Sequence, residues 1–376
     1  MRKMIIAIAA AFSLVTVGLI VMLVLAINGN VHMVTANSGK AKLVNTHSTE
    51  LNNVDSIKVE YGSGDVVFYK SKGNELTVKE YKTYNPKKDE LAEVVVKGNQ
   101  LLIRGGDTHT SFTIFSYTNH YSRTEIYLPE NYSGALSVST SSGDISSDLV
   151  LQLSRFTSSS SSGDIELNEI TADEINLSSS SGEITIQKAE GRRKISSTSG
   201  DVSVHSGNGD TDISTSSGEI TVEKCVGKLQ AHTNSGDIYI QDSNGDKNLK
   251  STSGEISVEN STGLIEAKSS SGDVEVNCSI GAGNINTTSG EINLEFIEVT
   301  GDIRLNASSG DINLVIPEAA AFRFTADTSS GDIDTYFDNK LSFDDNRKHA
   351  SGSVGENPQR EIELSTTSGE INVERD

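Results

Sequence analysis

Acidic residues recur at a fixed spacing along this 376-residue chain, each directly after a glycine: Asp164, Glu183, Asp201, Glu219, Asp237, Glu255, Asp273, Glu291 and Asp311. Carboxylates in such number suit three chemistries: calcium ligation through oxygen, paired acid–base cleavage of glycosides, and diffuse attraction of cations. A calcium β-roll uses nine-residue repeats of the form Gly-Gly-x-Gly-x-Asp, which do not occur here. Asn208-Gly209-Asp210 and Asn244-Gly245-Asp246 come nearest, and they read as turn chemistry. Glycoside cleavage calls for a local exception to the repeat, with inserted loops and a perturbed group. Between Gly182 and Gly290 the spacing admits no insertion. His205 and His232 fall on polar faces without a matched nucleophile or metal partner. Cys225 and Cys278 lie nearly three repeats apart, on the order of 14 Å if each repeat is one coil rising ~4.8 Å. A disulfide needs Cα atoms within ~7 Å, and two cysteines alone make a poor zinc site. Both therefore read as unpaired turn residues. No catalytic or cofactor-binding residue emerges. Calcium is the one ion left open, with the nine acidic residues as its candidate ligands.

What positions these carboxylates is the repeat itself. From Gly182 to Gly290 the signature glycines advance in six steps of 18 residues: Gly182, Gly200, Gly218, Gly236, Gly254, Gly272 and Gly290. Outside that stretch the steps are 19 to 21, except the last, from Gly331 to Gly369, which reads as two coils through Gly352. A short fixed period marks a solenoid. Within one repeat, Ile220-Thr221-Val222-Glu223 alternates apolar and polar, as a strand with one buried face must. Lys224 to Gly227 turns the chain, and a second alternating run puts Leu229, Ala231, Thr233 and Ser235 on one side. Two strands per coil imply a flattened two-sheet solenoid, and crossover chirality makes it right-handed. Stacking sets Ile220 under Ile238, Ile256, Val274 and Ile292. On the second strand it aligns Ile195, Ile213, Ala231, Leu249, Ala267 and Ile285. Ser199, Ser217, Ser235, Ser253, Ser271 and Ser289 align beside the corner, where each hydroxyl needs a partner. A longer period of 36 overlies this one. The acid alternates Asp/Glu, and the Asn-Gly-Asp turn recurs 36 residues on. The fold class is thus all-β: a right-handed parallel β-solenoid of ~18-residue two-strand coils.

Ahead of the repeats, Arg2 and Lys3 precede an uncharged run over residues 4–27, longer than the ~20 residues a membrane-spanning helix needs. The basic pair should stay cytoplasmic and send the rest outside. Val24-Leu25-Ala26 would suit a cleavage site, but the run exceeds the ~7–15 residues of a signal-peptide core. The chain therefore divides into a cytoplasmic end (1–3), a transmembrane helix (4–27), a stalk (28–50), an N-terminal cap with irregular coils (51–135), regular repeats (136–333) and C-terminal coils with a cap (334–376).

Net charge is −21 and unevenly placed. Residues 37–135 carry 12 Lys+Arg and 12 Asp+Glu, whereas residues 136–376 carry 17 and 40. Such a surface excludes nucleic acid, whose binding rests on basic groups against phosphate, and it favours cations, basic peptides or solubility. Trp is absent and Pro numbers four, so small and β-branched residues must fill the core.

Tyr61-Gly62-Ser63-Gly64-Asp65-Val66, then Glu125-Ile126-Tyr127-Leu128-Pro129, then the Ser-Ser-Gly-Asp-Ile series resemble the bacterial β-strand-repeat "putative adhesin" family, a domain family of unknown function that includes Lia-type cell-envelope proteins. The resemblance covers about residues 51–376. It implies a Gram-positive-like envelope setting and brings no catalytic residues.

The function expected is that of a non-enzymatic, membrane-anchored extracellular protein. It would serve envelope structure or interaction, in stress response or adhesion, with envelope components, cationic peptides or other proteins as partners. The alternative is a carbohydrate-active β-helix enzyme, lyase or hydrolase, which would show projecting loops and an Arg or Lys among acids. The acidic series has two readings. In one, the Asp/Glu alternation staggers the carboxylates at two depths and eases repulsion; in the other, the edge collects divalent cations or cationic peptides.

Overall fold

The computed structural model describes residues 40–106 and 121–376. The transmembrane segment expected at 4–27 lies outside them, as do residues 1–3 and the first part of the stalk. Among the described residues no helix is long and apolar enough to cross a membrane. The described chain is all-β, a solenoid of stacked coils broken only by two single 3-10 turns, Lys88–Glu90 and Asp338–Lys340.

One regular coil carries three parallel strands, Val202–Val204, Gly207–Asn208 and Thr211–Ser214, where the sequence suggested two. The extra strand occupies what read as a turn. It is two residues long and contains a glycine, so it is too short to display alternation. Each strand pairs with its equivalent one coil away on either side. Val202 pairs with Ile184 and Ile220, Gly207 with Ala189 and Cys225, and Ile213 with Ile195 and Ala231.

The interior is a set of like-residue columns. Ile220, Ile238, Ile256, Val274 and Ile292 stack in register and are fully buried. Burying each such side chain is worth roughly 1.5–3 kcal/mol. The buried hydroxyl column is not the one beside the glycine, because Ser199, Ser217, Ser235 and Ser253 are exposed. It lies two residues earlier, at Ser179, Ser197, Thr215, Thr233, Ser251 and Ser269. The chain bends at the corner, which turns the next alternate residue outward. Each of these oxygens accepts the N–H of the glycine three residues on, as at Thr233–Gly236 (3.0 Å) and Ser251–Gly254 (2.8 Å). Several also donate to a glycine carbonyl one coil away, such as Thr233 to Gly218 and Ser251 to Gly236. Both needs of a buried hydroxyl are met.

The signature glycines form a column of their own, and close approach is what requires them. A Cβ on Gly236 would sit 1.9 Å from the Gly218 carbonyl oxygen, and one on Gly254 would sit 1.9 Å from that of Gly236.

Spatial order departs from chain order at both ends. The first coil, with strands Ser56–Tyr61 and Asp65–Ser71, does not lie outermost. It is sandwiched between the Gln100–Arg104 and Ser122–Pro129 strands on one side and the Ala135–Thr140 and Ile145–Ser160 strands on the other. Antiparallel strands then cover the outer coil. Glu93–Lys97 lies on Gln100–Arg104, while Glu75–Lys82 lies on Ser122–Pro129 and itself carries Lys42–Glu50. Residues 42–50, expected in the stalk, are therefore part of the sheet. Beyond Leu43 and Val44 their exposed strand is polar on both faces, so no alternation announced it.

The C-terminal end repeats the device. Arg360–Ser368 and Ile371–Arg375 pair on one side with Ile292–Ser309 and Ile312–Ile316, and on the other with Phe322–Ser330 and Ile333–Thr335. The last coil in the chain is thus next to last in space. Gly352 forms no coil of its own. It belongs to His349–Val354, which pairs antiparallel with Phe322–Ser330 and with Leu341–Phe343 and covers the outermost layer. At each end the open parallel edge, an aggregation hazard, is met by antiparallel strands.

Candidate functional site

The glycine column fixes the acidic edge. Stacking the glycines backbone to backbone sends the residue after each one outward, one carboxylate per layer. In spatial order the edge runs Asp65, Asp144, Asp164, Glu183, Asp201, Glu219, Asp237, Glu255, Asp273, Glu291, Asp311, Glu370 and Asp332.

Asp and Glu do different things there. Each Asp Oδ1 except that of the terminal Asp332 accepts the backbone N–H of the acidic residue one layer above. Asp164 accepts from Glu183, Asp201 from Glu219, Asp237 from Glu255, Asp273 from Glu291 and Asp311 from Glu370, all at 2.8 Å. Asp65 and Asp144 do the same for Asp144 and Asp164. Glu makes no such bond to the layer above, because its extra methylene carries the carboxylate past the neighbouring amide. Glu183 and Glu219 instead accept from Thr185 and Thr221 two residues on. The alternation therefore has a bonding cause. From Asp164 to Asp311 it also places the Asp carboxylates in every second layer, ~9.6 Å apart, about one Debye length at 0.1 M salt.

Burial raises the Glu255 carboxyl above its ordinary range, and Glu275, Asp237 and Asp273 raise it further. A donor closes each end of the edge. The Tyr121 hydroxyl donates to Asp65 Oδ2 (2.9 Å), and Lys348 Nζ meets Asp332 Oδ1 (3.0 Å) and the Gly331 carbonyl. Among the described residues no group of three or more His, Cys, Asp or Glu is gathered closely enough to hold a metal ion. To a divalent cation the nine candidate ligands present an extended field, not a coordination sphere.

The Asn-Gly-Asp turns use their carboxylates the same way. Asp210 Oδ1 accepts from Lys228 N (3.1 Å), and Asp246 Oδ1 accepts from Leu264 N (3.0 Å). His205 Nδ1 lies 3.3 Å from Glu223 Oε2 on the surface. Neither cysteine is in a disulfide. Cys278 is exposed, but Cys225 is a buried member of the middle strand, where burial pushes its thiol up.

Two cations inside the regular coils escaped the sequence reading as site features. Arg193 and Lys247 occupy a column whose other members include Thr211, Leu229 and Ile265. The Arg193 guanidinium donates to Thr211 Oγ1 (2.9 Å) and to the Ala189 and Gly209 carbonyls. Lys247 Nζ donates to the carbonyls of Ser243 (2.9 Å), Gly245 (2.8 Å) and Thr262 (2.9 Å). Each cation bridges two layers at the corner between the middle and third strands. Burial holds the Lys247 ammonium at about 8, with Asp246 opposing the fall, and it lowers Arg193 likewise. The available signal was a cation at an apolar position of the 18-residue alignment.

A family model described as Toastrack DUF4097 matches residues 54–247 and, again, 226–374. Solved structures similar to this chain include a "putative adhesin" from Parabacteroides distasonis ATCC 8503, at 16% identity over 71% of this chain and 98% of that one, with a TM-score of 0.41. A "putative lipid binding protein" from the same organism matches at 17% identity over 72% and 98%, with a TM-score of 0.35. A "putative adhesin" from Bacteroides fragilis NCTC 9343 matches at 12% identity over 89% and 97%, with a TM-score of 0.32. No curated protein matches the chain.

Proposed function

This chain belongs to the Toastrack DUF4097 family, and from that premise we propose a non-enzymatic, membrane-anchored protein of the cell envelope. A right-handed solenoid stands outside the membrane on the helix of residues 4–27, with Arg2 and Lys3 on the cytoplasmic side. Its role is structural and interactive, in adhesion or in the response to envelope stress. The observation that carries this reading is the unbroken acidic edge. Thirteen successive layers each present an outward carboxylate, and the Asp members up to Asp311 are fixed by backbone amides.

An edge of this kind concentrates divalent cations or cationic peptides through many weak contacts, so binding is multivalent and sensitive to salt. The test is thermal unfolding of the full-length protein with millimolar calcium against sodium chloride of matched ionic strength. Calcium should raise the melting temperature, because the folded edge binds it better than the unfolded chain does. An equal melting temperature, with no cationic-peptide binding at low salt, would remove the cation-collecting role.

A further inference from the structure

The third strands of successive coils stack into a second surface, distinct from the acidic edge, and its charges alternate in sign from layer to layer. At the start of this strand, consecutive layers carry Arg155, Glu174, Arg192, Asp210, Lys228 and Asp246, aligned by the parallel ladder. Glu174 is half-exposed and the others are exposed. Two residues further along the strand, Lys194 and Asp212 add an opposed pair in adjoining layers, both exposed. The result is a stripe of alternating charge in ~4.8 Å steps.

The single chain makes little use of this pattern. Among the described residues Arg155 and Glu174 close at 2.9 Å, but no ion pair joins Glu174 to Arg192, Arg192 to Asp210, Asp210 to Lys228, Lys228 to Asp246 or Lys194 to Asp212. Asp210 and Asp246 each give one oxygen to a backbone amide, of Lys228 and Leu264, and keep the other. The side chains of Arg192, Lys194, Asp212 and Lys228 form no hydrogen bond among the described residues. Charges that stand off the face in this way suit a surface bearing the inverse pattern.

An alternating row of even length is its own inverse when read backwards. A second copy turned about a two-fold axis that lies in the contact plane, across the solenoid axis and between the Arg192 and Asp210 layers, supplies that inverse. Arg192 then faces Asp210 of the second copy, Glu174 faces its Lys228, Arg155 faces its Asp246 and Lys194 faces its Asp212, and each contact is made twice. Moving the axis by half a layer sets like charges opposite one another. Moving it by a whole layer leaves Lys194, Asp212 and one end of the row without counterparts. A parallel two-fold pairing, layer against equal layer, opposes like charges throughout. The pattern thus specifies one direction and one register. Depressions of about 330 and 230 Å³ lie among these side chains and share Asp212 and Gln230, leaving room for the long side chains of the opposing face.

We propose that this face pairs with the same face of a second copy of this chain, antiparallel, through the row from Arg155 to Asp246 and the Lys194–Asp212 pair. The contact spans only ~24 Å along the axis and joins exposed charges, so it is weak and sensitive to salt. The two N-terminal ends lie at opposite ends of the pair. For copies anchored as proposed above, the contact therefore joins facing membranes; that extension alone rests on the anchored reading.

The test is sedimentation velocity on the full-length protein, one copy per nanodisc, over a concentration series at low and at high salt. Protein that does not enter the discs would count against the anchor and not against the pairing, and the same series is then run on it in buffer. Copies should pair at low salt, and association should weaken at least about tenfold at high salt. Lys194→Glu and Asp212→Lys should each weaken self-association by about tenfold or more, because each sets like charges opposite one another twice. An equal mixture of the two variants, and the double variant alone, should regain wild-type association within about threefold, since opposite charges face one another again. Lys224→Glu, on a turn away from this face, should change association by less than about twofold. Should either single variant melt earlier than wild type, Glu174→Lys and Lys228→Glu supply a second complementary pair. No association at low salt, no recovery in the mixture, or an equal loss with Lys224→Glu would each overturn the proposal.

Discussion

Replacing Lys247 with leucine tests whether the buried ammonium stabilises or burdens the solenoid. In the folded chain Lys247 releases its proton near pH 8, and the ordinary value is 10.5. Between those limits the unfolded state binds more protons than the folded one, so stability rises with pH. The penalty is fully present below about pH 8 and relieved by about pH 10.5, a span worth about 3 kcal/mol. Against this stand the three carbonyls that Lys247 serves. Those of Ser243 and Thr262 also accept the amides of Thr262 and Gly245 and lose little. Gly245 loses its cation, and an unmet carbonyl costs about 1–3 kcal/mol where it is buried. Leu229 already fills the same position one layer below with no donor to offer. The expected result for Lys247→Leu is a gain of about 1–2 kcal/mol at pH 7. The rise that Lys247 gives the wild type between pH 8 and 10.5 should be absent from the variant, so the variant's advantage should shrink as the pH climbs through that window. The assay is denaturant unfolding of both at matched pH values from 7 to 10.5. The Cys225 thiol also titrates at high pH, but it is common to both proteins and cancels. Parallel pH profiles, or a variant less stable than wild type at pH 7, would refute the reasoning.

Two further outcomes are expected. Asp237→Ala removes the acceptor of the Glu255 amide and should cost about 1 kcal/mol, whereas Glu219→Ala, which frees no backbone group in the next layer, should cost under about 0.5 kcal/mol; equal shifts in thermal unfolding would contradict the division of labour between Asp and Glu. Deleting residues 360–376 strands the 322–354 segment without its parallel partner, while deleting residues 317–376 ends the solenoid cleanly at Ile312–Ile316, so limited proteolysis should attack the longer product faster, beginning beyond residue 317; comparable resistance would show that the outer coil does not need the inserted one.

Much of the body was legible because period and burial coincide. Six equal steps of 18 residues fixed the in-register columns, and Ile220 through Ile292 stack as the alternation required. The edge carboxylates were visible for the same reason. Their use was not, because which oxygen meets which amide depends on one methylene of reach. The misplaced serine column has a similar origin. Alternation was carried one residue too far through a corner where the backbone bends, so Ser235 was read as interior when Thr233 is the last buried hydroxyl. The inverted order of the ends left no trace in the sequence at all. Gly331 and Gly369 open the same kind of coil, and nothing local distinguishes the layer that is inserted from the one that caps. Lys42–Glu50 escaped for the opposite reason, having too little apolar character to look like a strand.

The inserted last coil bears on how the chain can acquire its fold. Residues 322–335 are made before residues 360–375, yet their parallel partner is the later segment. Until the final residues are available, the exposed strands Ile292–Ser309 and Ile312–Ile316 face an earlier competitor with the same alternating pattern. Phe324 and Ala326 end up against Ile362 and Leu364, which themselves pair with Ile303 and Leu305. A premature docking of the outer coil on the 303–316 layer would bury similar surface and would have to open before the terminal coil could enter. Closure of this end is therefore non-local and late, the circumstance in which folding slows and trapped species accumulate. The regular middle coils contact only their neighbours and face no such delay. A refolding experiment should resolve two phases, and the slow one should vanish when the chain is cut back to residue 316.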